Sequence, residues 1–292
     1  MNDEENKKQT ENQLKKREII RRILFVVFSI IFVTSAVMLT VKLVQYSKGK
    51  KIYEDSTKYI ENESVIVVPS AESDSQGEAE SQEPVVLPIK KFDYDEIRKE
   101  SPDTIGWISV PYCDINYPIV QGIDNDHYLE FAYTGEYSIS GSIFLDYRQN
   151  PEMTDKNSFI YGHSMKNGTM FGMLRKLDGT KYFNTAVENN DIRFFIYLKD
   201  TVQIYEMIAI VDTTQEDTPE LFDVNYPIAN DEESGRAYID LVMSKAHKTT
   251  GVTPKWDDKF VTLYTCQNAT GPERHLVIGR LVDTVSSEDF EE

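Results

Sequence analysis

The chain has 292 residues, 40% of them apolar and 27% charged, which is the balance of one substantial globular domain with appendages. Its net charge of -18 repels phosphate backbones, so nucleic acid is excluded as a partner on charge. Two cysteines, no C-x-x-C pair and four histidines without H-x-x-x-H spacing rule out a disulfide framework and give no ligand set for a metal.

The first element is apolar. Residues 23–41, ILFVVFSIIFVTSAVMLTV, are 19 positions without a charge. As a helix they extend roughly 28 Å, the thickness of a bilayer core. The stretch KKREIIRR (15–22) carries five basic residues in eight, more densely than the lysines after the span. That asymmetry predicts a cytoplasmic tail at 1–22 and a domain on the outer face. No A-x-A cleavage site follows, so the span reads as a retained signal anchor.

Residues 42–90 read as an extracellular linker. A short amphipathic helix is expected over 46–62. The stretch 61–90 then holds seven acidic residues against one basic, amid Ser, Gln, Gly and Pro. It reads as an extended spacer, unable to bury enough apolar surface to offset its ordering entropy. A catalytic domain is expected over 91–285, with an acidic tail at 286–292.

Eight strands are predicted in that domain: 104–110, 115–120, 141–145, 158–162, 192–198, 202–211, 260–266 and 275–282. They are rich in β-branched and aromatic residues, with Gly, Pro or Asp between several of them. Helices are expected at 92–100, 169–177 and 233–247. The fold class is therefore mainly β with peripheral helices, an eight-stranded barrel preceded by one transmembrane helix.

Candidate chemistry gathers at strand ends. Cys266 closes VTLYTC. If that strand forms a hairpin with the next, Cys266 and Arg274 meet at the same rim of the sheet. A guanidinium beside a thiol favours the thiolate and can donate to an oxyanion. On spacing alone, a small buried cysteine fits Cys266 equally well. His163 closes SFIYGH before a polar turn, where its imidazole can reach a shared cleft and transfer protons near neutral pH. A capping or surface role fits it as well. His275 is expected on the face opposite Arg274. His127 and His247 read as solvated surface, and Cys113 as structural.

These segments resemble the sortases, and class B sortases in particular. The resemblance rests on GWISVP (106–111), INYPIVQ (115–121), DNDHYL (124–129), GSIFLDYR (141–148), IYGHSMKNGTMFGML (160–174), TLYTC (262–266) and the strand beginning at Arg274. It implies a cysteine transpeptidase with Cys266 as nucleophile, His163 as general acid/base and Arg274 as oxyanion and substrate clamp. It places Asn125 and Tyr161 in the substrate groove, with Tyr264 and Thr265 as further substrate-binding candidates. It also matches the helix at 233–247 to one this class uses to recognise sorting signals. Class B members usually carry Ser where this chain has Tyr264, so the signal read by this groove is left open.

The implied partners are surface proteins bearing a C-terminal sorting signal, an amine of a peptidoglycan precursor, and the membrane through residues 23–41. No cofactor and no metal is implied. Three alternatives stay open: a cysteine peptidase or amidase that hydrolyses its acyl-enzyme, a catalytically silent wall-binding module, and a pilus-polymerising sortase, a kind that usually resembles another class.

Overall fold

The computed structural model of the chain describes residues 2–68, 85–189, 192–225, 231–266 and 271–286. The chain divides into two compact units, Met1–Lys48 and Gly49–Glu292. The first unit is helical throughout its described part, within helix α1 (Asn2–Ser56). Its apolar residues from Ile23 to Val44 are exposed almost without exception. Mean hydropathy over the most apolar window of this helix is 2.6, sufficient in length and composition to cross a membrane.

The second unit starts well before the expected boundary at Lys91. The end of α1 from Gly49 belongs to it, and Tyr53, Ser56, Tyr59 and Ile60 are buried within it. Strands β1 (Ile60–Val68) and β2 (Val85–Phe92) then pair antiparallel. The linker expected over 42–90 is thus ordered at both ends. Its middle lies outside the described residues, as does the tail beyond Ser286.

Helix α2 (Tyr94–Glu100) starts at Asp93, whose carboxylate accepts from the Glu96 amide. The barrel strands follow: β3 (Thr104–Val110), β4 (Ile115–Val120), and, after the short α3 (His127–Glu130), β5 (Ile143–Leu145) and β6 (Asn157–Tyr161). A 3-10 stretch (Phe171–Asp178) and helix α4 (Thr180–Glu188) lead to β7 (Arg193–Tyr197) and β8 (Thr201–Thr213). Helix α5 (Glu232–Lys245) and the two-residue β9 (Lys248–Thr249) precede β10 (Phe260–Cys266) and β11 (Arg274–Ser286).

The order β11-β10-β6-β5-β4-β3-β7-β8 closes on itself because β11 also pairs with β8. Eight strands thus form a closed barrel, which leaves no long unpaired edge. Strand β9 adds only a short pairing to β8. Alternation along the strands sorts two cores. Ile160, Ile210, Val261, Leu263 and Val277 join Trp107 and Ile108 in the main core. Val211, Phe260, Leu276 and Ile278, from the opposite faces of those strands, pack with Tyr238 and Val242 of α5. Helix α5 is held there by Asn157, whose Nδ2 donates to the Tyr238 hydroxyl at 3.0 Å.

Candidate active site

The site is set by the register of three adjacent strands. In the β10–β11 hairpin Cys266 is the direct partner of Arg274. On the other side of β10, β6 runs parallel to it with Tyr161 opposite Tyr264. The Gly162 amide extends that ladder by donating to the Tyr264 carbonyl at 3.1 Å. His163 and Cys266 each lie two residues past the Tyr161–Tyr264 pair. Cys266 therefore sits between the chain that carries His163 and the strand that carries Arg274.

The backbone at His163 is closely fixed. Its carbonyl accepts from the amides of Met165 and Phe171, at 3.1 and 3.0 Å. The intervening turn uses Gly168 at φ +85 and Met170 at φ 55, a region costly for a residue with a side chain. Met170 is fully buried, and its amide donates to the Tyr117 hydroxyl at 3.1 Å. Gly162 is glycine for want of room: a Cβ there would run into the Ile143 side chain and the Phe171 ring. The imidazole Nε2 lies 2.8 Å from the Leu129 carbonyl oxygen.

A buried carboxylate, Asp146, ties Asn125, Arg148 and Tyr161 together. Asp146 has no exposed side-chain surface. It accepts from Arg148 Nε at 2.8 Å and Nη2 at 2.7 Å, from the Arg148 amide, from Asn125 Nδ2 at 2.8 Å and from the Tyr161 hydroxyl at 2.9 Å. Burial pushes its carboxyl up, but the bonds from Arg148, Asn125 and Tyr161 outweigh it and bring the pKa down to about 2. Burial, then the neighbouring Asp146 charge, raises the Tyr161 phenol, so it stays a donor.

Tyr161 in turn meets the Tyr264 ring edge-to-face at 4.9 Å. Tyr264 also meets Phe222 at 5.6 Å, and its hydroxyl lies 3.0 Å from Arg274 Nε. Asn125, Tyr161 and Tyr264 therefore belong to one connected patch. Thr265 does not: it is buried, on the strand face it shares with Val261 and Leu263. His275 is likewise buried opposite Arg274, with Nδ1 2.8 Å from Asp212. Among the described residues no group of three or more His, Cys, Asp and Glu side chains is arranged to hold a metal ion.

A family model for the sortase domain matches residues 108–282. The chain belongs to the sortase family, in class B. It is 32% identical over 197 residues to sortase B of Listeria monocytogenes, covering 64% of this chain and 73% of that protein. The crystal structure of Clostridium perfringens sortase B superposes with a TM-score of 0.57 at 27% identity, over 65% of this chain and 99% of that one. A Streptococcus pyogenes class B sortase involved in pilus biogenesis gives 0.56 at 30% identity, over 65% and 97%.

The sequence of this sortase does not by itself mark out Asp146 or the Leu129 carbonyl. Asp146 carries one usable signal, an acidic residue ending an apolar strand with an arginine two positions on. The carbonyl carries none.

Proposed function

We propose that this sortase joins proteins to an amine by two acyl transfers at Cys266. The observation that supports this reading best is the register that sets Cys266 between His163 and Arg274. In the first step the Cys266 thiolate attacks the carbonyl of a threonine in a C-terminal sorting signal. Arg274 donates to the oxygen that becomes negative. The peptide C–N bond breaks, and His163 gives its proton to the departing amine, leaving a thioester. In the second step an acceptor amine attacks the thioester and His163 takes its proton. The new amide forms and the Cys266 thiolate is released.

The bond to the Leu129 carbonyl suits this cycle. A carbonyl can only accept, so Nε2 carries a hydrogen in either charge state, and Nδ1 is left to take and give the proton. An orienting backbone carbonyl here stands in the place of the side-chain carboxylate of other nucleophile–histidine pairs.

In this reading α1 anchors the enzyme in the membrane with residues 1–22 in the cytoplasm. The domain then stands on the outer face beside substrates that are themselves tethered, where weak affinity suffices. Asn125, Tyr161 and Tyr264 line the groove, and α5 borders it.

The acceptor admits a second reading. The class B relative from Streptococcus pyogenes is involved in pilus biogenesis. Within the class two acceptors are therefore open to this enzyme, the amine of a peptidoglycan precursor and an amine on another protein.

The test is cleavage of fluorogenic sorting-signal peptides such as NPxTN, NPxTG and PPxTG, with and without an amine acceptor, by wild type, Cys266→Ala and His163→Ala. Capture of the product by amine, lost in both variants, is expected. Cleavage indifferent to amine would make the enzyme a hydrolase. An unreactive Cys266 would remove it from the chemistry altogether.

A further inference from the structure

Arg274 is held on two edges. Its Nη1 donates to the carbonyls of Gly271 and Glu273, at 2.9 and 3.1 Å. Its Nε donates to the Tyr264 hydroxyl at 3.0 Å. That hydroxyl cannot swing freely, because the Tyr264 ring is wedged between two other rings. Tyr161 meets it at 4.9 Å with planes 66° apart, and Phe222 at 5.6 Å with planes 84° apart. Tyr161 is itself tied down at its far end by Asp146. The buried carboxylate, two tyrosines in edge-to-face contact and the guanidinium thus form one continuous chain from the barrel wall to the strand partner of Cys266.

We propose that Tyr264 is a positioning residue for Arg274: its hydroxyl orients the guanidinium beside Cys266 so that the N–H groups meet the developing oxyanion without reorganisation. This rests on the reading of Arg274 as the oxyanion donor. An unpinned arginine keeps several rotatable bonds and loses much of their freedom each time it engages a substrate. A donor fixed in advance does not. Tyrosine suits the task because a rigid ring carries its hydroxyl far from the backbone. A serine at this position would be too short to place an acceptor there.

Tyr264→Phe tests this, since it removes the acceptor and keeps the ring. Its kcat for peptide cleavage is expected to fall about ten-fold, the scale of one lost hydrogen bond to a charged group, with KM within two-fold. Exchange of the Arg274 Nε–H with water, read by 15N NMR, is expected to be slow in wild type and fast in Tyr264→Phe. Arg274→Ala is the reference and is expected to lose nearly all turnover. A wild-type kcat in Tyr264→Phe, a loss confined to KM, or unchanged Nε–H exchange would each overturn the proposal while leaving the active site as assigned. Wild-type turnover in Arg274→Ala would instead overturn the assignment of Arg274, and this proposal with it.

Discussion

The His163 ring nitrogen Nε2 sits 2.8 Å from the carbonyl oxygen of Leu129, a residue 34 positions earlier in the chain. Because the carbonyl offers only lone pairs, the neutral imidazole must hold its hydrogen on Nε2. Nitrogen NMR of His163 is therefore expected to show the neutral ring as the Nε2–H tautomer, with the lone pair on Nδ1. An Nδ1–H neutral form would contradict the geometry and would leave Nδ1 unable to act as base.

Asp146 predicts an acid limb of stability. Its folded pKa of about 2 lies below the ordinary value of 3.8. A depressed carboxylate contributes stability above the unfolded value and loses it as pH falls through the folded one, here between about pH 4 and pH 2. Asp146→Asn is expected to be less stable at pH 7 by about 2–3 kcal/mol, since Arg148 and Tyr161 lose a charged acceptor. It should also lose less than wild type across that acid window. Urea unfolding at pH 7, 4 and 2.5 measures both. Parallel curves for the two proteins would mean that the carboxylate is not the group that titrates.

A feature of this fold is legible in the sequence when the group that carries it has a local signature. Strands β3, β4 and β10 have the bounds expected from sequence, because each is a β-branched and aromatic run with abrupt ends. The Cys266–Arg274 pairing was readable for the same reason: a hairpin and a period of two leave little freedom. The helix expected over 169–177 is instead 3-10 from Phe171, where Gly172 lies so close to the Met165 carbonyl that a Cβ would collide with it. Asp146 looks in sequence much like a surface aspartate, its one local hint of burial being the apolar strand before it and the arginine two positions on. The β1–β2 hairpin was hidden by composition, the acidic middle outweighing ESVIVV (63–68) and VVLPIKK (85–91) on either side.

The two thiols should behave oppositely. Cys113 is 2% exposed, and burial raises its thiol well above the ordinary cysteine range. Iodoacetamide at pH 8 is expected to add one group to the native protein, at Cys266, and none to Cys266→Ala. Cys113 should react only once denaturant opens the barrel. Two additions to the native chain would show that the Cys113 site opens readily.

The segment preceding the expected domain boundary should prove necessary to the catalytic unit. Tyr53 is buried, and its hydroxyl donates to the Gly141 carbonyl at 2.5 Å. Its ring meets Tyr117 edge-to-face at 5.3 Å, and Tyr117 accepts the Met170 amide that closes the turn after His163. Removing Tyr53 therefore leaves a cavity beneath a residue that shapes the His163 loop. A soluble fragment from Lys91 is expected to melt roughly 10 °C below one from Gly49, consistent with about 3–5 kcal/mol for losing a buried aromatic. Tyr53→Ala in the longer fragment should reproduce most of that drop and lower peptide cleavage. Tyr53→Phe, which keeps the ring and leaves the Gly141 carbonyl without this donor, should cost about 1–2 kcal/mol and spare most activity. Calorimetry of the four proteins beside their cleavage rates decides it. Equal melting of the two fragments would return residues 49–60 to the role of a passive tether.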